Sequence, residues 1–534
     1  MNKTFKYLLG TELLCIFFTA YVITSILLFF GLSIHSWILP LSYIFVACVF
    51  FIYAFKTTQK LRFGIFFYPL IFIIISAALG KHIWDYSYDG MAYHQVAIYS
   101  LMNGWNPFYE KCPTDIIWVD HYAKGMETMS AIIASTFNNL EVGKSINFIF
   151  VISAFLIIYD VLSRFLPNKK RFFLISSSVL IIFSPVVICQ FLTFYIDFMS
   201  YILIVLITAN IYLYEKENTW IYIIMIGICL CFAISIKFNI AFWCGLELLI
   251  YCIYLIFKKQ WGRIRRGLIC TLASTIIGIF VLSYNPYITN LKDGHHILHP
   301  IMGQEKVDIM TKSTPYEIKD LNNFSSVIYS LFSRPNNYLK KVELSRIDKI
   351  KSSLIETGNT DSRLGGFGFL FPEILFFSIF SLIVLSRRNS REYKNLLLIL
   401  SILFISLFIL PSGWWARYVP FFYLFPILIF LYIEKWGQIN ILIKKILFGM
   451  LLLNASIITI SVTSNAYFAN KNIKYNFELL KDNKNIRMKS ENYGFNYKLE
   501  SAGIGIIPTD SAFFELKMNG PKVFLVEQDI EMIN

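Results

Sequence analysis

The sequence predicts an all-α polytopic membrane protein of about thirteen transmembrane helices, and three observations predict it. Of its 534 residues 56% are hydrophobic and only 15% are charged, more apolar surface than a soluble domain can hide. Apolar runs recur that reach the roughly 20 residues a helix needs to cross a bilayer. The basic residues flank these runs, as the positive-inside rule expects. The net charge of +14 therefore follows from topology, and no nucleic-acid partner is expected.

In chain order the expected spans are 8–32, 36–55, 63–80, 142–163, 171–189, 191–213, 219–236, 238–257, 267–284, 366–386, 395–411, 416–434 and 441–463. The first is too long for a signal-peptide core and has no small-residue cleavage site after it, so it counts as a span. The apolar stretch from Thr219 to Phe257 exceeds one crossing and is divided at Lys237. Links holding Lys6, Lys60, Arg62, Arg164, Lys169, Arg263, Arg266, Arg391, Lys435 and Lys444 then alternate onto one face, taken as cytoplasmic. The link Glu215–Asn218 is the exception, being nearly neutral. The amino terminus is expected in the cytoplasm and the carboxyl terminus outside. Richness in Ile, Lys, Asn and Phe fits the plasma membrane of a bacterium with an AT-rich genome.

This topology makes residues 1–463 a membrane domain with large exterior loops 81–141 and 285–365. Residues 464–534 form a small exterior unit, expected to be α/β or β. All seven histidines (His35, His82, His94, His121, His295, His296 and His299) fall outside, partly because histidine avoids apolar spans. Within 285–365, the apolar residues Leu321–Phe332 and Leu339–Leu354 repeat at helical spacing and predict amphipathic helices lying on the membrane face. Of nine cysteines only Cys112 is in an exterior loop, so neither a disulfide framework nor a metal-type cysteine pair is expected; Cys229 and Cys231 pack as small apolar groups.

The stretch Trp84–Pro113 carries the densest chemistry. It holds Asp85, Asp89, His94, two tryptophans and five tyrosines beside a membrane surface, with His82 just before it. Asp89, Tyr93, Gln95, Leu101, Gly104, Trp105 and Pro107 stand in order, followed by Tyr109-Glu110-Lys111 and Pro113. This pattern resembles the first exterior loop of GT-C-fold membrane glycosyltransferases that use polyprenyl-phosphate sugars, of the aminoarabinose- and mannosyl-transferase-like kind. The close match covers about thirty residues, and the architecture extends it loosely over the membrane part.

The resemblance implies inverting transfer of a sugar from a polyprenyl-phosphate donor to a hydroxyl of a cell-envelope glycan, lipid or protein. It places the catalytic carboxylate on Asp89, with His94 and Tyr93 close by. A carboxylate near a low-dielectric surface can have its pKa raised toward a useful value for a base. The chain departs from the family at Gly90, where a second acid often stands, which weakens any carboxylate-held metal. Asp85 takes that place if the stretch is helical. A purely structural reading makes Asp89 the N-cap of a helix beginning at Gly90.

Other polar groups lie at the same expected face. Asp197 and Lys237 sit at span ends, where ionisable groups cost several kcal/mol unless paired or solvated. They either line a cavity for the lipid phosphate or form a structural pair. Asn285, His295, His296 and His299 can offer amide and imidazole donors to a phosphate or sugar. Two of these histidines can also join His94 or Asp89 on a divalent metal ion. Their spacing fits no standard zinc motif, which favours a metal-free hydrogen-bonding loop, and Asn285-Pro286 also reads as a helix stop. Arg417, in Gly413-Trp-Trp-Ala-Arg-Tyr-Val-Pro420, lies in what reads either as an aromatic belt or, by the resemblance, as the lipid-phosphate contact.

No nucleotide-binding glycine loop is apparent, which argues against a nucleotide-sugar donor and ATP coupling. An O-antigen-type polymerase or ligase is the competing enzyme reading, and it needs no early acidic base. A lipid or polysaccharide transporter predicts mid-membrane charges and inverted repeats, and neither is apparent.

Overall fold

The computed structural model describes residues 5–57, 64–386, 390–437, 440–481, 485–489, 493–508, 514–516 and 524–526. Among these, seven helices are long and apolar enough to cross a membrane: Phe5–Phe29, Gly64–His82, Leu140–Phe165, Phe198–Glu217, Phe238–Phe257, Trp261–Leu282 and Ile441–Leu480. Four shorter apolar helices accompany them: Ile38–Ala54, Arg171–Ile182, Trp220–Ile236 and Phe371–Ser386. The chain is thus an all-α membrane protein, with fewer full-length crossings than the thirteen apolar runs suggest. The run 171–189 shows why. Ser184 precedes Pro185, which disfavours helix at Ser184, and the chain restarts as the short helix Pro185–Gln190. The run 416–434 likewise becomes helical in earnest only at Leu424, after a tight turn at Pro420–Tyr423.

Close packing fixes the bundle. Helix Phe5–Phe29 lies along Ser145–Phe165, and Gly10 allows the approach: a Cβ there would stand 2.8 Å from the Ser153 carbonyl oxygen. The buried Tyr7 hydroxyl donates to Asn210 Oδ1 at 2.7 Å, tying the first helix to Phe198–Glu217.

One end of the bundle is a rim of ion pairs and cation–π contacts. Arg164 pairs with Asp160 (2.7 Å) and Glu217, Arg263 with Glu215 (2.8 Å), and Lys169 with Glu434. Lys6 lies 3.6 Å from the Tyr159 ring centre. All of these basic residues belong to links assigned by sequence to one face, and the near-neutral link at 215–218 supplies two of their acidic partners, Glu215 and Glu217. Glu12, fully buried in Phe5–Phe29, and Glu247 in Phe238–Phe257, which accepts from Thr208, place carboxyl groups inside spans away from this rim, against the expectation of no mid-membrane charge.

At the other end the last helix, Ile441–Leu480, runs 40 residues, about 60 Å and twice a hydrocarbon core. It absorbs the first part of the expected exterior unit. Its far half continues because Ala466, Ala469, Ile473 and Leu480 form an apolar stripe against Phe495 and Leu499. Asn470 on this helix holds Trp84, accepting from its N–H at 2.7 Å and donating to its carbonyl at 3.1 Å. A small mixed sheet follows, with β1 (Asn485–Lys489), β2 (Gly505–Pro508), β3 (Phe514–Leu516) and β4 (Phe524–Val526) in the order β2-β1-β4-β3. β1 and β2 are parallel, Asn485 opposite Gly505, with helix Tyr493–Ser501 between them in sequence; β4 is antiparallel to both neighbours. Of the expected amphipathic helices, Asn323–Phe332 forms as read, whereas the second begins only at Arg346, capped by Ser345.

Candidate active site

Asp89 is in helical conformation (φ −62°, ψ −37°) and its side chain caps no helix. The N-cap reading therefore has no hydrogen bond behind it. From Gly90 to His94 the helix widens into a π turn before continuing as Gln95–Met102, and such turns recur at functional sites. The Asp89 carboxylate instead meets Arg417, Nη1 to Oδ2, at 3.3 Å.

Arg417 is the hub. Its guanidinium also pairs with Asp361 at 3.1 Å and with Asp197, through Nε, at 3.8 Å. Trp415, Tyr418 and Tyr195 enclose it, with ring centres 4.4, 5.2 and 5.7 Å from Cζ. Nε has no hydrogen-bond partner among the described residues. An aromatic box thus encloses a nearly buried guanidinium that keeps one N–H without a hydrogen bond among the described residues.

Lys237 joins this cluster through Asp197. It is the one extended residue (φ −164°, ψ 142°) between helices Trp220–Ile236 and Phe238–Phe257, as the sequence division expects, and it forms an ion pair with Asp197. Asp197 is free to do so because Gln190 Oε1 accepts the Phe198 N–H (2.9 Å) at the start of the next helix. Burial alone would raise the Asp197 carboxyl, but Lys237 and Arg417 hold it below its ordinary value. Burial would likewise lower Lys237, and Asp197 holds it raised. The Lys237 ammonium lies 5.3 Å from the Tyr418 ring centre and 5.9 Å from that of Tyr122.

Asp361 behaves differently. Burial, with Asp89 and Asp197 adding to it against Arg417, pushes its carboxyl up to about 7. Gln190 positions the segment, its Nε2 donating to the Thr360 carbonyl at 3.0 Å. The sequence reading missed Asp361. It lies 56 residues before Arg417 in an irregular loop with no periodicity to mark it. Trp415 lies within the Gly413–Pro420 motif and Tyr195 two residues before Asp197, but the sequence reading assigns neither a role.

The remaining candidates are placed elsewhere. The segment before Ser87 is not helical, and Asp85 does not join Asp89. It is fully buried, accepts from Ser87 N–H (3.1 Å), Ser87 Oγ (2.8 Å) and Gln95 Nε2 (3.2 Å), and lies in a charged cluster with Glu141, Lys144 and Lys498. Burial and Glu141 push its carboxyl up. His94 is buried with its Nδ1 2.6 Å from Glu127 Oε1, and the Tyr93 ring lies tilted against it, centres 4.3 Å apart. Burial and the nearby Asp89 raise the Tyr93 hydroxyl, so it remains a neutral donor. Asn285 braces two loops: Lys124 donates to its Oδ1, and its Nδ2 donates to the Asp120 carbonyl at 3.0 Å. His296 is exposed and caps its own loop, Nδ1 accepting from Leu298 N–H at 3.0 Å. His299 is buried against His121 and His295.

An apolar groove of about 370 Å³, lined by Ile204, Thr208, Tyr212, Trp243, Phe421 and Leu424 among others, reaches the cluster at its wall residue Trp243. Trp243 on its wall donates to the Tyr418 carbonyl at 2.9 Å, next to Arg417. No protein-family model, curated protein or solved structure was found to match the chain.

Proposed function

We propose that this protein is a membrane glycosyltransferase that takes a sugar from a polyprenyl-phosphate donor and passes it to a hydroxyl on the exterior face of a bacterial plasma membrane. The observation that carries the reading is the meeting of Asp89 with Arg417, joined by Lys237 through Asp197, beside an apolar groove. A lipid phosphate needs that combination: cations for its head and apolar walls for its chain.

In the proposed reaction the acceptor oxygen forms a bond to the anomeric carbon from the face opposite the phosphate. The anomeric carbon–phosphate oxygen bond breaks, and the polyprenyl phosphate leaves with the electron pair. Asp89 takes the acceptor proton. The leaving phosphate gains one negative charge, which Arg417 and Lys237 stabilise where water is excluded. The acceptor is a cell-envelope glycan, lipid or protein.

The test is transfer from a panel of polyprenyl-phosphate sugars in liposomes. Asp89→Asn is expected to keep the melting temperature and lose transfer by about 10²–10⁴-fold, the range for a general base. Undiminished turnover in that folded variant would rule out Asp89 as base. Essential residues confined to 285–365 would point instead to a polymerase or ligase.

A further inference from the structure

His121, His295 and His299 come together outside the Arg417 cluster. One ring nitrogen from each lies within 4.8 Å of the other two. The His295 and His299 rings stack with centres 4.3 Å apart, and His121 stands edge-on to both at 5.1 and 4.8 Å. His121 comes from the first exterior loop, directly after the short helix Ile117–Asp120. The other two come from the second loop, after helix Tyr284–Lys292. Three imidazoles packed together gain little from one another, so the arrangement calls for a common partner.

The surrounding groups set the rings for that partner. Asn290 Nδ2 donates to the His299 carbonyl at 3.0 Å, which turns Asn290 Oδ1 toward His121 Nδ1, 2.8 Å away. An amide oxygen only accepts, so His121 must carry its proton on Nδ1 and its lone pair on Nε2. Glu305 Oε2 lies 3.1 Å from His295 Nδ1 and imposes the same tautomer there. An amide or carboxylate behind an imidazole is what orients histidines that ligate metal, and two of the three rings have one. Asn290 also ties the His121 ring and the His299 backbone to one side chain.

We propose that His121, His295 and His299 bind one divalent transition-metal ion, of the zinc class, which clamps the first exterior loop to the second. Neutral imidazoles suit zinc, whereas magnesium and calcium require oxygen ligands. Nitrogens about 2.1 Å from a tetrahedral zinc are about 3.4 Å apart, so the rings close by up to about 1.4 Å on binding. The fourth position is left to water. The clamp sits next to groups that serve the Arg417 cluster. Tyr122, adjacent to His121, faces Lys237, and Lys124 donates to the Tyr122 carbonyl (2.8 Å) and bridges to Asn285. The inference stands whether or not the protein transfers sugar.

The full chain, purified with an affinity tag free of histidine, is equilibrated with Zn²⁺, desalted and assayed for metal content. About one zinc per chain is expected, falling to below about one tenth in His121→Ala/His299→Ala. Co²⁺ in place of zinc is expected to give the intense visible bands of a tetrahedral site, and chelation is expected to lower the melting temperature of the wild type. Asn290→Ala, which keeps all three ligands, is expected to weaken affinity by about 10–100-fold. A wild type that holds no zinc and shows no cobalt bands overturns the proposal. So does equal zinc in the double variant, which would mark adventitious metal. Should the double variant not fold, Asn290→Ala and the cobalt spectrum decide: unchanged affinity with no tetrahedral bands is a refutation.

Discussion

Arg417 and Asp89 stand 328 residues apart in the chain and 3.3 Å apart in space. The contact makes one guanidinium both the holder of the proposed base and the proposed receptor for phosphate. In the proposed reaction a phosphate at Arg417 competes with Asp89 and Asp361 for the guanidinium, so that binding of the donor releases the carboxylate proposed to act. Only a planar cation with several fixed donors can serve such an exchange. Arg417→Lys keeps the charge and loses the fork. It is expected to lower kcat/KM for the lipid donor by about 10-fold or more, the equivalent of about 1.4 kcal/mol or more. Steady-state kinetics in liposomes check this, and a rate within twofold of wild type would remove Arg417 from phosphate recognition.

Asp361 predicts a pH dependence of definite sign. Its carboxyl titrates near 7 in the folded protein, above the value of about 3.9 for an unperturbed aspartate. A carboxyl raised on folding contributes stability that is fully present below the unfolded pKa and lost as pH rises through the folded one. Between about pH 4 and 7 the wild type is therefore expected to lose stability from this group, and Asp361→Asn to lose less. The same ionisation strengthens the hold of Asp361 on Arg417, so the donor KM is expected to rise above pH 7 and to flatten in Asp361→Asn. Melting curves and donor KM across pH 5–8 test both; coincident profiles for the two proteins would refute the assignment.

What the sequence made legible was local. Apolar runs and flanking basic residues foretold the helices and the polar rim, because crossing length and charge placement are properties of short segments. Lys237 was legible because an ionisable residue interrupts an apolar stretch too long for one crossing. Asp361 was not, since its identity as a site residue depends on contacts with Arg417 and Asp89, far away in sequence. Asp85 misled for the opposite reason. Four residues from Asp89, it sits on the same side only if the stretch is helical, and the chain there is not helical, the Asp85 N–H donating to Glu141. His121 gave no sign of belonging with His295 and His299, because 174 residues separate it from the nearer one.

Gly90 can be tested as a packing requirement. A Cβ at this position would collide with the Asp85 carboxylate and the Ser87 hydroxyl, one turn before Asp89 presents its side chain. The second acid that the resembling glycosyltransferases often carry here has no room. Gly90→Ala is expected to destabilise by about 1–3 kcal/mol, as overpacking does, and to lower transfer by moving Asp89. Gly245, inside helix Phe238–Phe257, has nothing within 4 Å of its Cβ position, so Gly245→Ala is expected to be neutral or stabilising by about 0.5–1 kcal/mol. Thermal unfolding in one detergent compares the two; equal melting temperatures would show that Asp85 yields easily.

The carboxyl-terminal unit reaches the first loop through a buried charge. Lys498, on helix Tyr493–Ser501, pairs with Glu141 Oε1 at 2.7 Å, while Lys144 holds the other Glu141 oxygen and Asp85 lies beside them. Two cations balance two carboxyls, and all four groups are nearly or fully buried. Tyr497 stacks on Tyr99 at 3.9 Å and completes the contact. Removing one partner of a buried pair leaves an uncompensated charge and typically costs about 3–5 kcal/mol, far more than the intact pair is worth. Lys498→Ala is therefore expected to cost more stability than Lys498→Ala/Glu141→Gln, in which the surplus carboxylate is gone. Because Asp85 leads directly into the turn that carries Asp89, the single variant is also expected to lose transfer activity and the double variant to regain part of it. Melting temperatures and transfer rates of the pair decide. If the double variant is no better than the single, the unit is held by its apolar contacts and the charges do not set the loop.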